Sequence, residues 1–365
     1  MRRTARASLL ALPSTLLTSL ISPALLLPPT HAAYTLTDSF SQDTFFGNFS
    51  AFSGADPTNG FVQYQTYDSA TTKSLIHTVP NANYASYIIA DPTSSTTKGR
   101  DSVRISSTKS FNKGLFILDL LHMPKNVCGS WPAFWLLGPD WPKGGEIDIL
   151  EGVNAQQGNQ MTLHTSEGCS LQPGGFSGKL ETQNCGPDEK NTGCAITSAD
   201  PSGFGDGFNR GNGGVYATEW TGKDISIWFF PREKIPSDIS SGNPTPEKWG
   251  QPVAKFGGSS CDVESHFKDM KIVFNTAFCG DWAGKVWQSG GCAAATGVAK
   301  CEDFVGQHPE AFKESFWLVN YVKVFSQGEG NAGGQQKGGK MMRRGVRDTD
   351  ALVQDLVHDL VFGES

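Results

Sequence analysis

Within GGEIDILEGVN, Gly144 to Asn154, three carboxylates fall inside six residues: Glu146, Asp148 and Glu151. Two carboxyl groups that flank one bond can break it, one protonating the departing oxygen while the other attacks or activates water. Cleavage of a glycosidic bond needs such a pair. A third carboxylate can orient the attacking one and bias the protonation states of the group. The acids are interleaved with Ile147, Ile149 and Leu150, which reads as a strand, and strand side chains alternate faces. Glu146 and Asp148 then share a face, but Glu151, five positions from Glu146, points away. The three converge only if the strand takes in one extra residue. The spacing predicts a β-bulge within Ile149-Leu150, because only one residue is needed between Asp148 and Glu151. The plainer alternative is a solvated acidic strand edge. Three acids on one face amid apolar residues would then repel one another without any function to hold them there.

The elements that must carry this strand are themselves strands. Between Tyr34 and Phe325 there is little sustained helical periodicity; short apolar or alternating runs recur, such as GLFILDLLHM, DISIWFF, KIVFNTAF and FWLVNYVKVF. Clusters rich in Gly, Pro, Asn and Ser separate them, as in PSGFGDGFNRGNGG. We expect an all-β domain over 33–326, a sandwich of two antiparallel sheets. A Gly-rich linker over 327–340 and a short amphipathic tail over 341–365 should follow, with Leu352, Leu356 and Leu360 on one helical face. Arg343-Arg344 is a candidate processing site.

The first 32 residues have the form of a secretory signal peptide: Arg2, Arg3 and Arg6, an apolar run from Ser8 to Leu27, and small residues before a cut after Ala32 or Ala33. Pro13 and Pro23 interrupt that run, which disfavours a permanent span. We therefore expect a secreted, extracellular or cell-wall protein with no membrane attachment after cleavage, acting as a monomer. Eight cysteines fit disulfides in that setting, and the short loops Cys185–Cys194 and Cys292–Cys301 are the local pairings we expect. Asn48-Phe49-Ser50 is a glycosylation sequon. A formal charge of −6, with no basic patch, argues against nucleic acid and suits a neutral polymer. Zinc-finger spacing is missing from the cysteines and histidines, and we expect no metal or cofactor. Asp56 and Asp91 are conceivable calcium ligands, but no dense acidic loop supports them.

GGEIDILEGVN resembles the catalytic motif of family 16 glycoside hydrolases, in the E-x-D-x-x-E form of laminarinase-like endo-β-glucanases. KSFNKGLFILDLLHMPK, GSWPAFWLLG, MTLHTSEGC, GGVYATEWTGKDISIWFFPRE and NTAFCGDWAG carry the similarity, in order, across most of 34–325. The resemblance implies a β-jelly-roll sandwich with a concave cleft, a β-glucan polysaccharide as partner, and β-1,3 or mixed β-1,3/1,4 linkages cleaved with retention. It assigns Glu146 as nucleophile, Glu151 as general acid/base, and Asp148 as assistant to the nucleophile. Glu151 must then hold a proton at working pH, which we expect its negative neighbours to favour. A transglycosylase is the nearer alternative, and a non-catalytic glucan-binding protein the more distant one.

Sugar rings present apolar faces edged by hydroxyls, so a glucan cleft wants aromatic platforms with polar rims. From the resemblance, Trp131, Trp135 and Trp282 are candidate platforms, with His164 and Arg104 as polar contacts. Core packing is the competing reading for each tryptophan, and it is the one expected for Trp228 and Trp317. His164 could bond the nucleophile or a glucose hydroxyl. Glu219 reads as a structural acid.

Overall fold

The computed structural model describes residues 33–328 except Asn83. The expected leader (1–32) and tail (341–365) lie outside the described residues, as does the linker from 329 onward. Two eight-stranded sheets make the sandwich. The first runs in the order Ala254–Gly257, Asp224–Pro231, Gly214–Trp220, Gly114–His122, Phe316–Gln327, Ala85–Ile89 and Ile76–Val79, with Tyr34–Ser41 also on Phe316–Gln327. The second runs Lys179–Thr182, Cys194–Thr197, Gln160–His164, Glu146–Glu151, Ser130–Leu137, Lys271–Phe278, Arg104–Ser107 and Phe49–Ala51. All pairings within these two sheets are antiparallel, as the expected architecture requires.

Alternation explains which faces meet. Phe116, Leu118, Leu120, Trp220, Val322 and Val324 of the first sheet share one core with Phe134, Leu136, Ile147, Met161, Leu163, Ile272 and Phe274 of the second. Burying each such side chain contributes about 1.5–3 kcal/mol, which makes this interface the main source of stability. Trp317 is fully buried there and donates its indole N–H to Thr276 Oγ1 at 3.1 Å, a core role as expected. Trp228 is also buried, but in the outward face of the first sheet, edge-on to Trp249 with ring centroids 5.5 Å apart. Glu219 lies on that sheet too, accepting from the Tyr34 hydroxyl at 2.7 Å. It is structural there.

Four disulfides tie the loops down: Cys128–Cys292, Cys169–Cys261, Cys185–Cys194 and Cys279–Cys301. The Cys185–Cys194 expectation holds, but the Cys292–Cys301 expectation does not. Cys292 and Cys301 begin separate short helices, and they fasten the segment after residue 278 to Cys128, just ahead of Ser130–Leu137, and to Cys279, just after Lys271–Phe278. Closing long loops removes more entropy from the unfolded chain than a local clasp would. Among the described residues, no helix is long and apolar enough to cross a membrane.

Candidate active site

Glu146–Glu151 is flanked by Ser130–Leu137 and Gln160–His164 near the middle of the second sheet. Against Ser130–Leu137 the register reads Glu146↔Leu137, Ile147↔Leu136 and Asp148↔Trp135, then resumes at Leu150↔Phe134 and Glu151↔Ala133. Ile149 is therefore the extra residue, within the pair where spacing predicts a bulge. Both Ile149 and Leu150 bury their side chains in the core. The strand thus spends two apolar residues inward and returns Glu151 to the face of Glu146 and Asp148.

Burial separates the three acids. Asp148 and Glu151 are buried, whereas Glu146 is half-buried. Loss of water around Glu151 is the largest influence on it, and with the charge of Glu146 it lifts the carboxyl from 4.5 to about 8. The negative neighbour raises Glu151 as expected, but burial, which the sequence did not reveal, does more: an ion in a dry site lacks solvation whatever stands beside it. The indole N–H of Trp131, 2.7 Å from Glu151 Oε1, works in the opposite direction by bonding the ionised form. Asp148 is raised well above the usual carboxylate range, by burial first and then by Glu146 and Glu151. His164 faces Glu146 across the strand pair. Its Nε2 is 3.5 Å from Asp148 Oδ2 and 3.9 Å from Glu146 Oε1. One oxygen or nitrogen from each of these three residues lies within 4.8 Å of the others.

The aromatic candidates flank this group. Trp131 stands edge-on to Trp282, with centroids 5.6 Å apart and planes at 89°. The first indole is thus fixed by a carboxylate at one end and a ring at the other. Trp282 sits just after Cys279, so the Cys279–Cys301 bridge anchors the base of its loop. Trp135 donates to Asn275 Oδ1 at 2.7 Å and lies under the Arg104 guanidinium, 5.0 Å from its ring centroid. Phe52 flanks Arg104 at 4.9 Å, leaving the guanidinium stacked between two rings. Asp56 accepts from Thr58 Oγ1 and Gly60 N, and Asp91 from Thr93 and Ser94, each closing its own turn.

Sequence reasoning passed over three residues here. Trp141 stands 45% exposed in the turn leading into the acid strand, its ring 6.1 Å from that of His164. With Pro142, His164, Pro187 and Asn191 it lines a shallow surface depression. An exposed tryptophan in a Gly- and Pro-rich turn was the available signal. Asn275, which fixes Trp135, and Asn159, beside the bulge, gave none, because a single asparagine at a strand or turn is commonplace.

A two-sheet sandwich with three carboxylates drawn to one face and indole rings beside them is the frame of a carbohydrate-active β-protein. The chain belongs to glycoside hydrolase family 16: residues 49–325 match the XgeA-like catalytic domain of that family. It is 43% identical over 303 residues to an endo-1,3(4)-beta-glucanase of Arthroderma benhamiae, covering 81% of this chain and 66% of the relative. An Aspergillus niger relative is also 43% identical, over 86% of this chain but only 43% of its own length. The chain therefore spans less than two thirds of these relatives. Laminarinase 16A from Phanerochaete chrysosporium, solved with 6-O-glucosyl-laminaritriose in donor and acceptor sites, superposes with a TM-score of 0.76 at 37% identity, over 81% of this chain and all of that one. An elongating family 16 beta-1,3-glucosyltransferase gives 0.75 at 42% identity, over 80% of this chain and all of that one.

Proposed function

We propose that the chain is a secreted endo-β-glucanase that hydrolyses internal bonds of β-1,3 or mixed β-1,3/1,4-glucans by double displacement with retention. The observation that carries this reading is the bulge at Ile149, which sets Glu146 and Glu151 on one face while burying the second and holding its proton up to about pH 8. Glu151 gives that proton to the departing glycosidic oxygen as Glu146, the more exposed carboxylate, attacks the anomeric carbon. Once ionised, Glu151 takes a proton from water, which releases the sugar from Glu146. Asp148 and His164 hold Glu146 in line. Trp131, Trp135 and Trp282 carry sugar faces, and Arg104 donates to hydroxyls. The leader over 1–32, glycosylation at Asn48 and a monomeric secreted form complete the proposal. Incubation with laminarin, lichenan, cellulose and xylan tests it: short oligosaccharides should appear from the first two, and activity confined to cellulose or xylan would overturn it.

The likeness to an elongating glucosyltransferase favours one second reading, in which a sugar takes the place of water at the glycosyl-enzyme. Products longer than the starting laminari-oligosaccharide, made in excess over hydrolysis, would support transfer.

A further inference from the structure

A bulge leaves backbone groups without the partners that a regular ladder supplies. On the side of Gln160–His164, pairing with the acid strand stops at Asp148↔Thr162. Ile149 C=O and Glu151 N–H therefore have no strand opposite them, although both are buried. The side chain of Asn159, just ahead of that neighbouring strand, fills the gap. Its Nδ2 donates to Ile149 O at 2.8 Å, and its Oδ1 accepts from Glu151 N at 2.8 Å. One partner is a fixed acceptor and the other a fixed donor, so only one orientation of the amide satisfies both. Asn159 is completely buried, its own carbonyl accepts from Ser198 N at 2.8 Å, and its side chain also meets the Tyr216 hydroxyl.

We propose that Asn159 is a positioning residue for Glu151: its amide stands in for the missing strand, locks the bulge at Ile149, and so fixes where the Glu151 carboxyl points. A side chain of this shape is suited to the task because a primary amide presents the donor and acceptor of a peptide group from one rigid plane. Alanine cannot bridge the two backbone groups, and the main chain at Glu151 is then free to shift. Proton delivery is sensitive to displacement of about 1 Å, which can lower a rate by about 10²-fold. Attack by Glu146 depends much less on Asn159, because Glu146 sits on the regular part of the ladder, paired on both sides.

This inference rests on the acid/base role proposed for Glu151, and the test is built to separate the two. Laminarin has a poor leaving group that must be protonated, whereas a dinitrophenyl β-laminarioligoside departs without a proton. We expect Asn159→Ala to lose about 10²-fold in kcat/KM on laminarin, within the range that general acid catalysis supplies. The dinitrophenolate burst, which counts folded sites, should keep its amplitude and stay within about threefold of the parent rate, because that step needs no acid. Glu151→Ala is the reference and should show the same selectivity more strongly. If Glu151→Ala lacks that selectivity, the acid/base reading fails. If Glu151→Ala shows it while Asn159→Ala loses equally on both substrates, or on neither, the positioning role fails. Should the alanine variant not fold, Asn159→Asp takes its place. It keeps an acceptor for Glu151 N but has no donor for Ile149 O when ionised, so the same selectivity should appear at smaller size, and its absence counts against the proposal equally.

Discussion

At the scale of single residues, the account turns on the proton of Glu151. Its carboxyl titrates at about 8 in the folded protein against 4.5 in its ordinary state, so folding tightens its hold on the proton. The stabilising contribution is complete below pH 4.5 and is lost as pH rises toward 8. Glu151→Gln never ionises, so its melting temperature should exceed the parent's by a margin that widens from pH 4.5 to 8 and then levels off. A margin that shrinks over that interval would contradict the assignment. The same proton governs activity: the alkaline limb of kcat/KM should fall near the titration of Glu151. Trp131→Phe removes the N–H that bonds the ionised carboxylate, so that limb should move to higher pH. Besides the sugar-platform role proposed for it, Trp131 thus bonds the acid itself. An indole at the third position of GSWPAFW reveals its ring, whereas the partner of its N–H lies twenty residues on and is set by the fold.

Among the elements, the bulge was legible and its support was not. Counting faces along EIDILE forces an extra residue between Asp148 and Glu151, and the two adjacent apolar residues show where it falls. The two sheets and the buried Trp317 were legible for a similar reason, because alternation reports which face is inward. Disulfide pairing was less so. Cys185–Cys194 clasps neighbours in sequence, but Cys292 and Cys301, equally close, are drawn to Cys128 and Cys279 by long-range packing. Those bridges bear on the site, since Cys279–Cys301 anchors the loop that carries Trp282. Replacing both of these cysteines with alanine should lower the unfolding free energy by about 3 kcal/mol in a denaturant titration, from the entropy of the loop released. If Trp282 is a sugar platform, KM for laminarin should rise more than kcat falls. An unchanged KM would leave the ring a packing role alone.

For the whole molecule, every residue assigned to the site lies within 33–328, and both ends of that span meet, with Gly328 N donating to Ala33 O. Removing residues 329–365 should leave glucan cleavage and melting temperature nearly unchanged, and a loss of several degrees would give the tail a role in the sandwich. The central claim is that one bulged strand supplies both the nucleophile and the acid/base of a retaining reaction. The stereochemistry of azide trapping tests it most directly, using Glu146→Ala, Glu151→Ala and an activated aryl β-laminarioligoside. Glu151→Ala should form the glycosyl-enzyme on Glu146 and stall, and azide, which needs no base, should then release the β-glycosyl azide. Glu146→Ala cannot form that intermediate, so azide should attack the substrate directly and yield the α-glycosyl azide. The account predicts β from Glu151→Ala and α from Glu146→Ala; the reverse assignment of anomers would contradict it.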